Sequence, residues 1–172
     1  MKKQKSSRGQ TLLEILLAFG VSILVLSAII VVVNASLSNA QYTKNQSLAN
    51  SYAAEAMSVV KQIRDSNWSN FISYVTGTTY CLDQNKATLR ESDPPPLVCG
   101  QNVEIFSREV RFEHASDSCL ADPACMGPSC LKGSKVAVKV LWSDSKCPSG
   151  NIFCHQEELI TCLSNIYQKQ SP

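Results

Sequence analysis

The stretch Gly9-Gln10-Thr11-Leu12-Leu13-Glu14, running into Ile15–Val33 (ILLAFGVSILVLSAIIVVV), decides how this chain is organised. The 19 residues from Ile15 to Val33 carry no charge. At about 1.5 Å per residue they form about 28 Å of helix, close to the thickness of a bilayer core. Ahead of them, MKKQKSSRG has Lys2, Lys3, Lys5 and Arg8 as its only charged side chains. Such a cluster stays on the cytoplasmic side of a membrane, which places everything beyond the span outside.

Working outward, the whole chain of 172 residues is only 17% charged, below the roughly 25% of a typical soluble domain. The deficit is local, because no charged residue lies between Glu14 and Lys44. A formal charge of +2 and the lack of a basic stripe give no basis for a nucleic-acid partner. All eight cysteines fall between Cys81 and Cys162, on the side expected to be extracytoplasmic. The two parts of the chain are written for two different solvents.

Glu14 separates the readings of the apolar run. A secretory signal peptide would use Ser38-Asn39-Ala40 as its cleavage site before Gln41, but the run exceeds the usual 7 to 15 residues and an acid precedes it. An ordinary single-pass anchor leaves Glu14 without a role. A carboxylate costs about 2.5 to 3.5 kcal/mol at the centre of a bilayer and less near the interface, so a partner is required to offset it.

A short basic leader, then Gly9-Gln10-Thr11-Leu12-Leu13-Glu14, then an apolar helix, resembles the processing site of type IV prepilins and related class III signal peptides. The resemblance implies cleavage after Gly9 by a membrane aspartyl protease, the prepilin peptidase, with N-methylation of the new terminus at Gln10. It implies that Thr11, Leu12 and Glu14 serve recognition and assembly. Glu14 would be the fifth mature residue, neutralising the terminal ammonium of a neighbouring subunit inside an apolar filament, where an unpaired charge is prohibitive. The family most often has phenylalanine where this chain has Gln10. Many major pilins carry a proline within the apolar helix, whereas here no proline precedes Pro94 and Gly20 alone weakens the span. That pattern points toward a minor pilin or pseudopilin.

Past the span the polarity changes but the helical period does not. Tyr42, Leu48, Ala49, Tyr52, Ala53, Ala56, Val59, Val60 and Ile63 recur at three- and four-residue steps, and no proline or glycine occurs from Val21 to Thr76. One helix is expected from about Thr11 to about Asp65. Its end, Ile63-Arg64-Asp65 followed by Trp68, also resembles the helix end of many bacterial pilin-like proteins. Beyond Trp68 the period falls to two. Strands are expected at Val103–Glu113, Lys135–Trp142, Glu158–Tyr167 and Tyr74–Leu82, separated by turn residues such as Asp93-Pro94-Pro95-Pro96 and Pro148-Ser149-Gly150. Strands with no helix between them imply an antiparallel sheet. The fold class is therefore α+β: a long N-terminal helix, membrane-spanning then amphipathic, packed on a small antiparallel head with disulfides. The divisions are 1-9 leader, 10-40 transmembrane and assembly helix, 41-67 amphipathic helix and 68-172 head.

Cys81, Cys99, Cys119, Cys125, Cys130, Cys147, Cys154 and Cys162 are even in number and are read as disulfide partners. Connectivity stays open among many pairings, with Cys81–Cys99 favoured because the two are neighbours along the chain and bracket one loop. No Cys-x-x-Cys pair is present, so no metal or other cofactor is expected. His114 and His155 lack an accompanying serine or carboxylate motif, and no phosphate-loop, dinucleotide or His-Glu-x-x-His motif occurs, so catalysis is not expected. Asn45-Gln46-Ser47 and Asn67-Trp68-Ser69 fit glycosylation sequons. Expected partners are the prepilin peptidase, inner-membrane lipid before assembly and other pilin subunits in a pilus or secretion-type filament. Removal of the leader leaves 12 basic side chains against 14 acids. The competing reading is a membrane-anchored or secreted disulfide-rich binding domain.

Overall fold

The computed structural model describes residues 8–92, 99–120, 132–144, 146–148, 150 and 153–165, with the backbone alone for 8–10. Lys2, Lys3, Lys5, Pro94 to Pro96, Cys125, Cys130 and Tyr167 lie outside the described residues. The elements in order are α1 (Arg8–Ser66), α2 (Trp68–Ile72), β1 (Thr79–Cys81), β2 (Arg90–Glu91), β3 (Ser107–Leu120), β4 (Lys132–Trp142) and β5 (His155–Leu163). Contacts divide the chain into two compact units between Lys44 and Asn45.

The first unit is helical, and its apolar side chains stay uncovered. Leu12, Leu16, Phe19, Leu24, Val31 and Leu37 are all exposed. This is the one helix among the described residues that is long and apolar enough to cross a membrane, with a mean hydropathy of 3.0 over its most apolar window.

The second unit holds the core. From Asn45 onward, Ala49, Ala53, Ala56, Met57, Val60 and Ile63 form the buried stripe of α1, at the three- and four-residue steps that place side chains on one face. Three alanines in that stripe keep the helix surface low enough for large side chains to lie beside it. Tyr52, at the margin of the stripe, meets Phe106 edge to face at 5.3 Å between ring centres. The helix ends at Ser66, and extended Asn67 (φ −161°) caps α2 by accepting the Asn70 amide proton on its side-chain oxygen. Capping of this kind is why a second, five-residue helix follows directly. It delivers Phe71 into an aromatic cluster with Phe112, Trp68 and His114.

The sheet is antiparallel throughout, in the order β2-β1-β3-β4-β5. It departs from a simple meander, since β2 turns back to the edge and β1 pairs β3 directly. The inner face carries Tyr80, Val110, Phe112, Val136, Val138, Val140 and Trp142, all buried. The strands differ in their bounds from the sequence expectation for identifiable reasons. Residues 103–106 form a tight turn closed by a Val103–Phe106 bridge, with Glu104 at φ 53°, so extended backbone starts only at Ser107. At the other end β3 runs past Glu113 because Ala115, at φ 52°, absorbs an irregularity and pairing resumes at Ser116. β5 starts earlier than expected because His155 pairs with Trp142 at the very end of β4.

Gly133 permits the closing feature of the sheet. A methyl group there would lie 3.0 Å from the carbonyl oxygens of both Cys119 and Leu163. The bare backbone lets the end of β3 approach β4 closely enough for Cys119 to bridge Cys162 of β5, the strand on the other side of β4. The Cys81–Cys99 bridge favoured by adjacency is present, and Cys147–Cys154 closes the loop between β4 and β5.

Among the described residues of this unit two charged side chains are buried. Arg108 has no exposed surface, donates to the carbonyls of Leu82 (3.0 Å), Asp83 (3.1 Å) and Tyr52 (3.4 Å), and pairs with Glu55 at 3.1 Å. Asn102 brackets the same residue, accepting its amide proton at 2.7 Å and donating to its carbonyl at 3.0 Å. Glu109, on the opposite face, is also buried, and its Oε1 has no hydrogen-bond partner among the described residues. Burial raises the Glu109 pKa above 4.5, against the lowering effects of Arg111, the Cys99 amide and Lys139.

Arg108→Ala is expected to cost about 3 to 5 kcal/mol, because buried carbonyls lose their donor, whereas Glu55→Ala, at a half-exposed carboxylate, costs about 0 to 1 kcal/mol. Urea unfolding of the two variants in detergent measures the contrast, and equal losses would mean that the ion pair, not the carbonyl set, holds the arginine. The folded state holds the Glu109 proton more tightly than the unfolded chain. Its stabilising contribution is therefore complete below pH 4.5 and is lost as pH rises through the folded value. Glu109→Gln is expected to be more stable than the parent at neutral pH and to lose that advantage below pH 4.5, as read by unfolding midpoints across the range.

Candidate functional site

Gly9 and Gln10 lie near the start of α1, and a glycine there lowers the cost of unwinding. Thr11, Leu12 and Glu14 follow on α1, all exposed. No cation sits against Glu14 among the described residues, and it is the only charge before Lys44 on a run of uncovered apolar side chains.

The hydroxyls inside the apolar run are satisfied within the helix itself. Ser22 Oγ donates to the Ala18 carbonyl and Ser27 Oγ to the Ile23 carbonyl, both at 2.8 Å. Back-bonding of this type lets a hydroxyl enter hydrocarbon without an unpaired donor. Glu14 has no equivalent local solution.

In the second unit, the loop between β4 and β5 brings Asp144, Cys147, Cys154 and His155 together, with their ligand-type atoms within 4.8 Å of one another. His155 Nε2 lies 3.1 Å from Asp144 Oδ1, and the Lys146 amide donates to the same oxygen at 2.8 Å. Burial pushes the Asp144 carboxyl up, but the Lys146 amide and His155 outweigh it and hold the group below its ordinary value of 3.8. His114 sits elsewhere, between the Ser134 hydroxyl (2.6 Å from Nδ1) and the Tyr74 carbonyl (2.8 Å from Nε2), against the rings of Phe71 and Phe112. A shallow cavity of about 330 Å³ on the outer sheet face is lined by Thr76, Gly77, Arg111, Glu113, Lys135 and Ile160, among others. Lys135 pairs with Glu113 at 3.3 Å, and Arg111 donates to the Thr79 hydroxyl at 2.9 Å.

Compared with family models, curated proteins and solved structures, the chain matches none. The functional reading accordingly rests on its own residues.

Of the residues singled out in the sequence, Gly9 to Glu14 lie consecutively on α1, and six of the eight cysteines form three bridges. Cys125 and Cys130 lie outside the described residues. Asn67, in the second sequon, uses its side-chain oxygen as the cap of α2. Sequence reasoning passed over two features. Arg108 reads as one more polar residue in an alternating strand. Asp144 and His155 flank the Cys147/Cys154 pair, three residues before the first and one after the second. That bracketing was the available signal.

Proposed function

We propose that this chain is a structural subunit of a type IV pilus or type II secretion-like filament, made as a prepilin and assembled through its N-terminal helix. One observation supports the reading above others: Glu14 stands as a lone, exposed carboxylate at the head of an uncovered apolar helix, five residues beyond Gly9. In lipid or in an apolar bundle that charge requires a cation close by. The described chain offers none, and cleavage after Gly9 would create one, the α-ammonium of Gln10.

The sequence of events follows from the chemistry. Lys2, Lys3, Lys5 and Arg8 hold the leader on the cytoplasmic face, and the apolar helix holds the subunit in the inner membrane with its head outside. The prepilin peptidase cuts the Gly9–Gln10 bond, and Gln10 is the residue that N-methylation would modify. On assembly, Glu14 of one subunit pairs with the new ammonium of its neighbour while Thr11 and Leu12 pack around the pair. The exposed apolar residues leave lipid for other helices. The chemistry is done to the chain, and no catalytic residue is assigned to it. The lack of a proline in the helix favours a low-copy subunit or a pseudopilin over a major pilin.

Mass spectrometry of the native N-terminus is expected to show a mature chain starting at Gln10. An intact Met1 would instead favour a simple membrane anchor, and a start at Gln41 a secreted domain, and either would end the filament reading. Glu14→Val is expected to insert into membranes normally but to enter filaments at least about tenfold less, the factor set by losing 1.4 kcal/mol of pairing. Quantitative immunoblotting of sheared filaments against membrane fractions measures this, and unchanged incorporation would remove the role given to Glu14.

A further inference from the structure

We propose that the loop closed by Cys147–Cys154 is an exchangeable zinc site, in which Asp144, Cys147, Cys154 and His155 hold one Zn²⁺ when a dithiol reductant has opened the bridge. The donor set itself points to the metal. Two sulfurs, an imidazole and one carboxylate suit tetrahedral zinc and do not suit the all-oxygen shells of calcium or magnesium. Tetrahedral bonds of about 2.0 to 2.3 Å place ligand atoms about 3.3 to 3.8 Å apart, and the four atoms here already lie within 4.8 Å of one another. Opening the Cys147–Cys154 bond and rotating the four side chains would convert the present arrangement into a closed site.

The surroundings hold the donors in place. His155 opens β5 opposite Trp142, with their rings 5.4 Å apart, so its imidazole is carried on the sheet rather than on a free loop. Asp144 is held by the Lys146 amide. The Asp144 amide itself donates toward Cys147 Sγ at 3.4 Å, which holds this sulfur next to the Asp144 backbone. Asp144 Oδ1 and His155 Nε2, now 3.1 Å apart, need open only slightly to flank a shared metal. All four residues are half-buried, reachable by a reductant and by an ion.

The step balances as follows. The reductant donates two electrons and two protons to the Cys147–Cys154 bond and becomes a disulfide, leaving two thiols. Zinc displaces both thiol protons and is bound by two thiolates, one carboxylate and a neutral imidazole. A disulfide oxidant reverses the exchange, so the same loop is closed covalently under oxidising conditions and by metal under reducing ones. The inference stands apart from the filament reading, because it concerns only this loop.

The test uses the full chain in detergent, with a phosphine reductant added in limiting steps and Zn²⁺ as the probe, followed by alkylation and peptide mapping. Zinc is expected to shield Cys147 and Cys154 specifically after reduction. Co²⁺ in its place is expected to give a thiolate charge-transfer band at one metal per chain. Asp144→Asn and His155→Ala are expected to weaken zinc binding at least about tenfold while leaving the bridge able to form. Alkylation of Cys147 and Cys154 that ignores zinc, shielding confined to other cysteines, or equal metal uptake by the unreduced chain would each overturn the proposal.

Discussion

A guanidinium with no exposed surface, that of Arg108, ties together α1, the chain leaving β1 and the start of β3. Removing such a charge from water costs several kcal/mol, and the structure offsets the cost with directed acceptors. The Leu82 and Asp83 carbonyls fix the chain leaving β1, the Tyr52 carbonyl and Glu55 fix α1, and Asn102 fixes the turn before β3. Several acceptors on different elements must be met at once, so these bonds constrain α1 against the sheet in a way that the alanine stripe alone does not.

The two units solve the same problem by opposite means. In the first, the helix backbone is hydrogen-bonded along its own axis and the Ser22 and Ser27 hydroxyls bond back to carbonyls four residues earlier, so the surface turned outward is largely hydrocarbon. In the second, apolar side chains turn inward and polar groups are paired across elements, as when Gln46 donates to Glu157 at 2.8 Å. The same helix obeys both rules along its length, which is why the next charged residue after Glu14 is Lys44.

Much of this was legible in the residues. The charge gap and the three- and four-residue steps located α1 to within a few residues of its bounds, and Cys81–Cys99 followed from adjacency. Other features could not be read. Val103 to Glu113 looks like an uninterrupted alternation, but the positive φ of Glu104 is a property of the folded turn and leaves no mark in the pattern. β2 has two residues, too few for any period to show. Arg108 shares the inner face with Val110 and Phe112, and alternation gave no reason to place it there rather than outside. In the candidate site, Gly9 to Glu14 were visible because chemistry and order coincide along the chain. The Asp144–His155 cluster needed the sheet register to bring its ends together.

The Cys119–Cys162 bridge, made possible by the bare backbone at Gly133, has a mechanical consequence. It joins residues separated by 43 positions and encloses all of β4. If the chain is pulled from its two ends, tension passes from Cys119 to Cys162 through sulfur and bypasses β4. The enclosed segment would contribute roughly 140 Å of slack if it were free to extend, at about 3.3 Å per residue. With the bridge intact that length is withheld, so the domain is shielded from load along its longest hairpin and cannot lengthen there until a covalent bond breaks.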